Sequence, residues 1–200
     1  MKNKFRASYT ILDMWSSGNW EMAIKQYFKL DKYSSPETED GLRWHEKWRK
    51  HIEDTKTMPV EFGGRPLIAP VTERKKVVEL DSWLDLVGII DCYDSPTVYD
   101  WKTGKTSSEV YAGGKQGAIY GVLATLLGYY VEKIEIHHYD QYMKTADMSI
   151  VWITPKLLED AHNYIVTVSS EMYQYFLSNN LFDKFGAQQS EATIPEQILL

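Results

Sequence analysis

The 200-residue sequence holds a single cysteine, Cys92. No disulfide can therefore form within the chain, and no zinc or iron–sulfur site can be built from its own cysteines. Placed beside Asp91, that thiol reads as a small apolar filler rather than a reactive group. No apolar run approaches the roughly 18–20 residues of a membrane span. Residues 1–10, MKNKFRASYT, lack the apolar core of a signal peptide. A soluble, cytoplasmic protein with no membrane partner is the expectation. Positive charge is also in short supply: 22 Lys and Arg face 28 Asp and Glu, for a net charge of −6. That balance argues against a generic nucleic-acid coat protein, but not against a site with local basic groups. Internal repeats and low-complexity tracts are absent.

What remains is the composition of an ordinary globular chain, 44% hydrophobic and 25% charged, able to bury a real core in one domain. Seven tryptophans and fourteen tyrosines are many for this length, and suit core packing, groove lining or base stacking. In order, Ser8 and Asn19 are candidate caps for two short helices, 8–15 and 19–30, with a polar loop at 31–34. Ser35-Pro36 opens a third helix to residue 52, with Glu37 and Glu39 at its positive end. Gly41, His45 and Trp48 share one side of it. Read alone, His45 is a core or surface histidine, and His51 faces solvent. Residues 55–70 read as a loop with a short strand near 60–62.

Arg74-Lys75-Lys76 leads into a strand at 77–80. These cations suit either a solvated strand end or a phosphate contact, and Glu79 is a candidate further acid. Residues 86–93 and 97–103 are two extended runs around the turn signal Asp94-Ser95-Pro96. Alternation puts Asp100 and Lys102 on one face, and Tyr99 and Trp101 on the other. The hairpin folds Asp91 back towards Asp100. Two uncompensated carboxylates would repel, and one would take up a proton. A hard divalent ion with oxygen ligands removes the conflict. A helix over 109–127 places Gln116 and Tyr120 one turn apart, a pair that alone is incidental. Its glycines at 113, 114, 117 and 121 imply close packing. A second hairpin, 132–142 with 147–153, carries His137 and His138 on opposite faces as structural residues. Thr154-Pro155 caps a last helix to residue 177, and the tail from 179 reads as loosely packed. The order implies an α/β fold: a short mixed central sheet of four to five strands flanked by helices.

The ordered elements Gly41-x-x-x-His45, Gly88-x-x-Asp91, Asp100-Trp101-Lys102-Thr103-Gly104-Lys105 and Gln116-x-x-x-Tyr120 resemble the PD-(D/E)XK nuclease superfamily in its RecB-like branch. The likeness runs from about residue 8 to 140. It implies a single restriction-endonuclease-like nuclease domain over 1–200, with N-terminal helices at 8–53, a catalytic sheet and helix at 74–153, a C-terminal helix at 155–178 and a loose tail at 179–200. It implies a metal-dependent deoxyribonuclease in which metal-activated water hydrolyses phosphodiesters, an exonuclease on single-stranded DNA or ends. Magnesium or manganese, one or two ions, would bind His45, Asp91, Asp100 and the backbone carbonyl of Trp101. Asp91, Asp100, Lys102, Gln116 and Tyr120 would form the catalytic set. Thr103, Lys105, Lys115 and the cations at 74–76 would contact DNA. Implied partners are DNA and a helicase, recombination or CRISPR-adaptation protein. The iron–sulfur cluster of some members is ruled out by the cysteine count. A catalytically silent nucleic-acid-binding or assembly subunit of the same fold is the alternative.

Overall fold

In the computed structural model, residues 4–30 and 36–186 are described, with the side chains of Glu73 and Arg74 left aside. The polar loop at 31–34, the proposed Ser35 cap, the Arg74 side chain and the tail from 187 therefore lie outside the described residues. The chain forms a mixed, six-stranded sheet with helices on both faces. Five strands are those expected: β2 (Val71–Asp81), β3 (Leu84–Asp94), β4 (Thr97–Thr103), β5 (Lys133–Asp140) and β6 (Thr145–Trp152). The sixth, β1 (Phe5–Ala7), was not expected. With three residues it is too short to show a period of two.

Strand β3 is the organiser. β2 pairs antiparallel along almost all of one edge of it. On the other edge, β1 pairs parallel with Leu84–Leu86 and β4 pairs antiparallel with Cys92–Asp94. Between those two neighbours, residues 87–91 face no strand on that side among the described residues. β4 continues the sheet through parallel β5 and antiparallel β6. The gap beside β3 is where the candidate site lies.

The larger core lies on one face of the sheet, against α1 (Tyr9–Ser16), α2 (Trp20–Phe28), α5 (Gln116–Leu126) and α6 (Pro155–Ser178). Close approach of α5 explains its glycines. A Cβ on Gly121 would come within 2.8 Å of Ile153 Cδ1, and one on Gly88 of β3 within 2.7 Å of Leu123 Cδ2. The expected single helix over 109–127 is instead two, α4 (Ser108–Ala112) and α5, because Gly113-Gly114 ends the first. On the opposite face α3 (Pro36–Thr55) buries Trp48 and Ile52 against Tyr99, Trp101, Cys92, Met58 and Leu67.

Several smaller expectations change. Residues 60–62 form a turn of 3-10 helix rather than a strand. Ser8 and Asn19 occupy cap positions but make no side-chain cap hydrogen bond, whereas Thr154 accepts from the Leu157 N–H as expected. His51 is half-buried rather than solvent-facing, its Nε2 3.0 Å from Thr57 Oγ1. Residues of the expected loose tail form α7 (Leu181–Phe185), with Leu181, Phe182 and Phe185 packed on the main core. Cys92 is buried, and burial pushes its thiol up to about 12, as suits a filler. Among the described residues no helix is long and apolar enough to cross a membrane.

Beneath the 56–70 loop, Glu135 of β5 is buried and ionic. Arg65 Nη2 lies 2.8 Å, Lys133 Nζ 2.6 Å and His137 Nε2 3.0 Å from its carboxylate. Burial alone would raise this carboxyl, but hydrogen bonds from His137 and Lys133 and the Arg65 charge bring it down to about 2. A depressed carboxyl contributes stability above its unfolded value, and that contribution is lost as pH falls towards the folded value. Glu135→Gln is therefore expected to cost on the order of 2 kcal/mol at neutral pH. In urea denaturation the gap from wild type should narrow below about pH 4.5; a gap independent of pH would contradict this account.

Candidate active site

β3 and β4 stop pairing after Cys92–Tyr99. One residue further along each strand stand Asp91 and Asp100, so the strands part at the acids. The Trp101 N–H, with no ladder partner on β3, donates instead to Asp91 Oδ2 at 2.8 Å. The other oxygen of Asp91 lies 3.2 Å from His45 Nδ1 of α3. The tight passage of α3 over β4 sets this contact. A Cβ on Gly41, one turn before His45, would meet Thr103 Oγ1 at 3.2 Å. Glycine at that position lets the helix approach, and a turn later the imidazole reaches the acid.

Asp100 points to the same side as Lys102, two residues on. The Lys102 ammonium is 3.0 Å from Asp100 Oδ1 and 2.9 Å from Oδ2. All three acid-site side chains on the sheet and α3 are shielded: Asp91 is 5%, Asp100 2% and His45 7% exposed. Burial pushes the Asp100 carboxyl up from its ordinary range, and the Asp91 charge adds to this, against the pull of Lys102. Burial alone would lower Lys102, but Asp100 and Asp91 outweigh it and leave the amine raised. Lys102 is thus held as an ammonium.

Gln116 and Tyr120, at the start of α5, complete the wall. Gln116 Nε2 donates to the Tyr120 hydroxyl at 3.1 Å. Burial, then the Asp100 and Asp91 charges, hold the Tyr120 phenol well above its usual range, so it stays neutral and able to donate. These groups line a cavity of about 370 Å³ that also includes Gly41, Gly88 and Thr103. All four motif elements thus meet in one place.

Further residues line it that the sequence did not single out for the site: Tyr9, Thr10, Gln26, Thr38 and Tyr111, along with Ser8 and Glu37. Burial and the Asp13 charge push Tyr9 up to about 12, and the Tyr111 ring centroid lies 5.4 Å from Lys102 Nζ. No local pattern marks them. Ser8, Tyr9 and Thr10 reach the cavity because β1 lays the start of α1 against the gap beside β3, while Gln26 comes from α2, Glu37 and Thr38 from α3, and Tyr111 from α4.

Other candidates lie apart from the cavity. Lys75 and Lys76, on β2, pair across from Ile89 and Gly88 of β3 and do not line it. Glu79 is exposed and pairs with Lys4. Lys115 sits 4.2 Å from the Tyr164 ring centroid, and Lys105 is exposed beyond the end of β4. His137 and His138 are structural: His138 Nδ1 is 2.8 Å from Asp147 Oδ2 and Nε2 2.7 Å from the Gly104 carbonyl.

The sequence matches no family model and no curated protein. Solved structures do match. The fold is similar to that of an alkaline exonuclease. This is LHK-Exo from Laribacter hongkongensis, 10% identical over 89% of this chain and 94% of that one, with a TM-score of 0.52. The same enzyme in complex with dAMP gives 0.54 at 12% identity, over 89% of this chain and 92% of that one. The protein SSO0001 gives 0.52 at 13% identity, covering all of this chain and 90% of that one. At such identities the likeness establishes a nuclease fold and goes no further.

In kind, the donors suit a divalent cation: two carboxylates, a backbone carbonyl at Trp101 and an imidazole. A carboxyl raised by burial and by a neighbouring carboxylate is also what a cation would relieve. Yet among the described residues no three such side chains gather tightly enough to hold a metal ion. His45 meets Asp91, while Asp100 is held by Lys102. A cation shared by both acids would require Asp100 to turn from the ammonium.

A carboxyl raised above its ordinary value keeps a proton in the folded protein where the unfolded chain has lost it. Metal-free stability should therefore fall as pH rises above about 4 through the Asp100 titration. Asp100→Asn is expected to flatten that slope in urea denaturation in EDTA; an unchanged slope would show that Asp100 titrates normally.

Proposed function

We propose that the chain is a metal-dependent deoxyribonuclease of the RecB-like branch, acting as an exonuclease on single-stranded DNA or DNA ends. The observation that carries this reading is the buried Asp91–Asp100 pair beside Lys102, all three lining one cavity, in a fold similar to that of an exonuclease. A structural ion pair would not need a second buried acid beside it, nor an opening onto it. The order of the four motifs supports the branch.

The cavity supports end processing. Its volume of about 370 Å³ is near the lower end of the roughly 300–1,000 Å³ typical of small-molecule sites. That suits a nucleotide unit better than a continuous duplex. The start of α1 and Gln26 of α2 form part of its wall, so a strand would enter by its end.

In this reading Asp91, Asp100, the Trp101 carbonyl and His45 hold magnesium or manganese. When bound, the cation offsets the acids and polarises the phosphate and the attacking water. Hydrolysis adds the water oxygen to phosphorus and breaks the bond to the leaving sugar oxygen; the attacking water gives up a proton to solvent and the leaving oxygen takes one from it, with charge building on the phosphoryl oxygens. Lys102, already an ammonium, faces that charge and stabilises it more in the transition state than in the ground state. Gln116 and Tyr120 are neutral donors on the same side and orient the phosphate or Lys102. Thr103 and Gly104 let the strand backbone pass close to β4.

The Lys102–Asp100 pair also gives the silent alternative its footing, because an ammonium that never yields Asp100 would leave a binding protein without catalysis. One experiment separates the two. Labelled single- and double-stranded DNA is incubated with wild type and Lys102→Ala in manganese or EDTA. Wild type should cut only with metal, and Lys102→Ala should be slower by at least about 10²-fold with its circular dichroism unchanged. Equal rates for the two proteins, or an undiminished rate in EDTA, would refute the assignment.

A further inference from the structure

We propose that the tip of the β5–β6 hairpin is a stacking platform for single-stranded DNA, with Tyr142 as the ring and Lys105 and Lys144 as the flanking cations; this rests on the nuclease reading. The placement follows from register. β4 and β5 run parallel with Thr103 opposite Tyr139. The chain beyond Tyr139 therefore projects past the end of β4, the end at which Lys102 and Thr103 line the cavity. A strand leaving or entering that cavity over β4 meets the tip next.

The tip is built rather than loose. Asp140 Oδ1 accepts the N–H of Tyr142 at 2.8 Å and of Met143 at 3.0 Å, which fixes the turn. Trp44 Nε1 donates to Gln141 Oε1 at 2.7 Å and ties the tip to α3, the helix that carries His45. Despite this anchoring, the large side chains point outward: Tyr142 is 66% and Met143 72% exposed. Core packing does not account for an aromatic ring held rigidly at a tip and left bare. Lys105 Nζ lies 6.0 Å from the Tyr142 ring centroid, and Lys144 is exposed two residues on.

In a chain of net charge −6, one exposed ring has a cation 6.0 Å from its centroid and a second two residues along the same turn. The ring offers a face on which any base can stack, and the ammonium groups meet the phosphates on either side. Nothing in this set makes paired hydrogen bonds to a base edge, so the recognition is of single strands without sequence preference. The acid of the tip, Asp140, is occupied by the two backbone N–H groups, which lower its carboxyl, the Met143 N–H most.

The test is fluorescence anisotropy of a labelled oligothymidylate in EDTA, so that binding is read without cleavage, over a range of salt. Tyr142→Ala should weaken binding about tenfold, within the range seen for loss of one stacked base, while Tyr142→Phe stays close to wild type. The Lys105→Ala, Lys144→Ala double variant should reduce the slope of log K against log salt by about 1.4, as for two phosphate contacts on a single strand. Tyr142→Ala binding as tightly as wild type would overturn the platform and point to a protein partner for the tip, and the nuclease reading would still be decided by Lys102. Wild type that binds no oligonucleotide even at low salt would overturn the platform and the nuclease reading together.

Discussion

The parting of β3 and β4 at two buried acids is the constraint on which the site depends. Up to Cys92 and Tyr99 the strands form an ordinary antiparallel ladder. Beyond, the Asp91 carboxylate takes the place of a ladder partner and accepts the Trp101 N–H. That bond satisfies the Trp101 N–H, which lacks a ladder partner on β3, and holds the acid at the parting of the strands. β1 occupies the same edge of β3 only as far as Leu86. The sheet thus opens over residues 87–91, and the opening is where α1, α3 and α5 converge. A sheet continuous along that edge would bury the same acids without access.

Holding two carboxylates so close out of water is electrostatically unfavourable, and every neighbour reflects this. Asp100 is raised, Lys102 is kept charged, and Tyr120 is kept neutral by its burial and by the acids behind it. Removing one partner from such a group leaves an uncompensated buried charge, at a cost of about 3–5 kcal/mol. The chain contains a contrasting case on the other side of the sheet. Glu135 is as buried as Asp91, but three cationic or hydrogen-bonding neighbours satisfy it and it does not line the site cavity. Glu135 holds the loop at 56–70 to the sheet. Asp91 and Asp100, short of compensation and facing a cavity, have the character of a site.

Much of this was legible in the sequence because the signals were local. Alternation along residues 86–103 placed Asp100 and Lys102 on one face and Trp101 on the other. Glycine at 41 foretold the close approach that brings His45 to Asp91, and glycines at 117 and 121 the packing of α5. What the sequence concealed was long-range. β1 has three residues, and its partner is some eighty positions away, so neither its existence nor its delivery of Tyr9 to the cavity could be read locally. The position of the basic run at 75–76, on β2 along the edge of β3 away from the opening, was hidden for a related reason. Nearness in sequence to the acidic hairpin does not place it on the same side of β3. The break at Gly113-Gly114 was within reach, since two adjacent glycines disfavour a helix interior, but the amphipathic stretch on either side masked it.

The exposure of Tyr142 extends the same logic to the surface. Aromatic residues are abundant here, and most are accounted for by the two cores, where Phe62 stacks on Trp101 at 5.4 Å and Phe5 on Tyr27 at 4.8 Å. A ring outside both cores, on an anchored turn beside two lysines, belongs to recognition rather than stability.

The central proposal is that a divalent cation would offset the two buried acids. Anomalous diffraction at the manganese edge, from crystals soaked in manganese, tests this most directly. A manganese peak is expected beside Asp91 and Asp100, with the Asp100 carboxylate turned away from Lys102. Density that leaves Asp100 closed on the ammonium, with no peak between the acids, would contradict it.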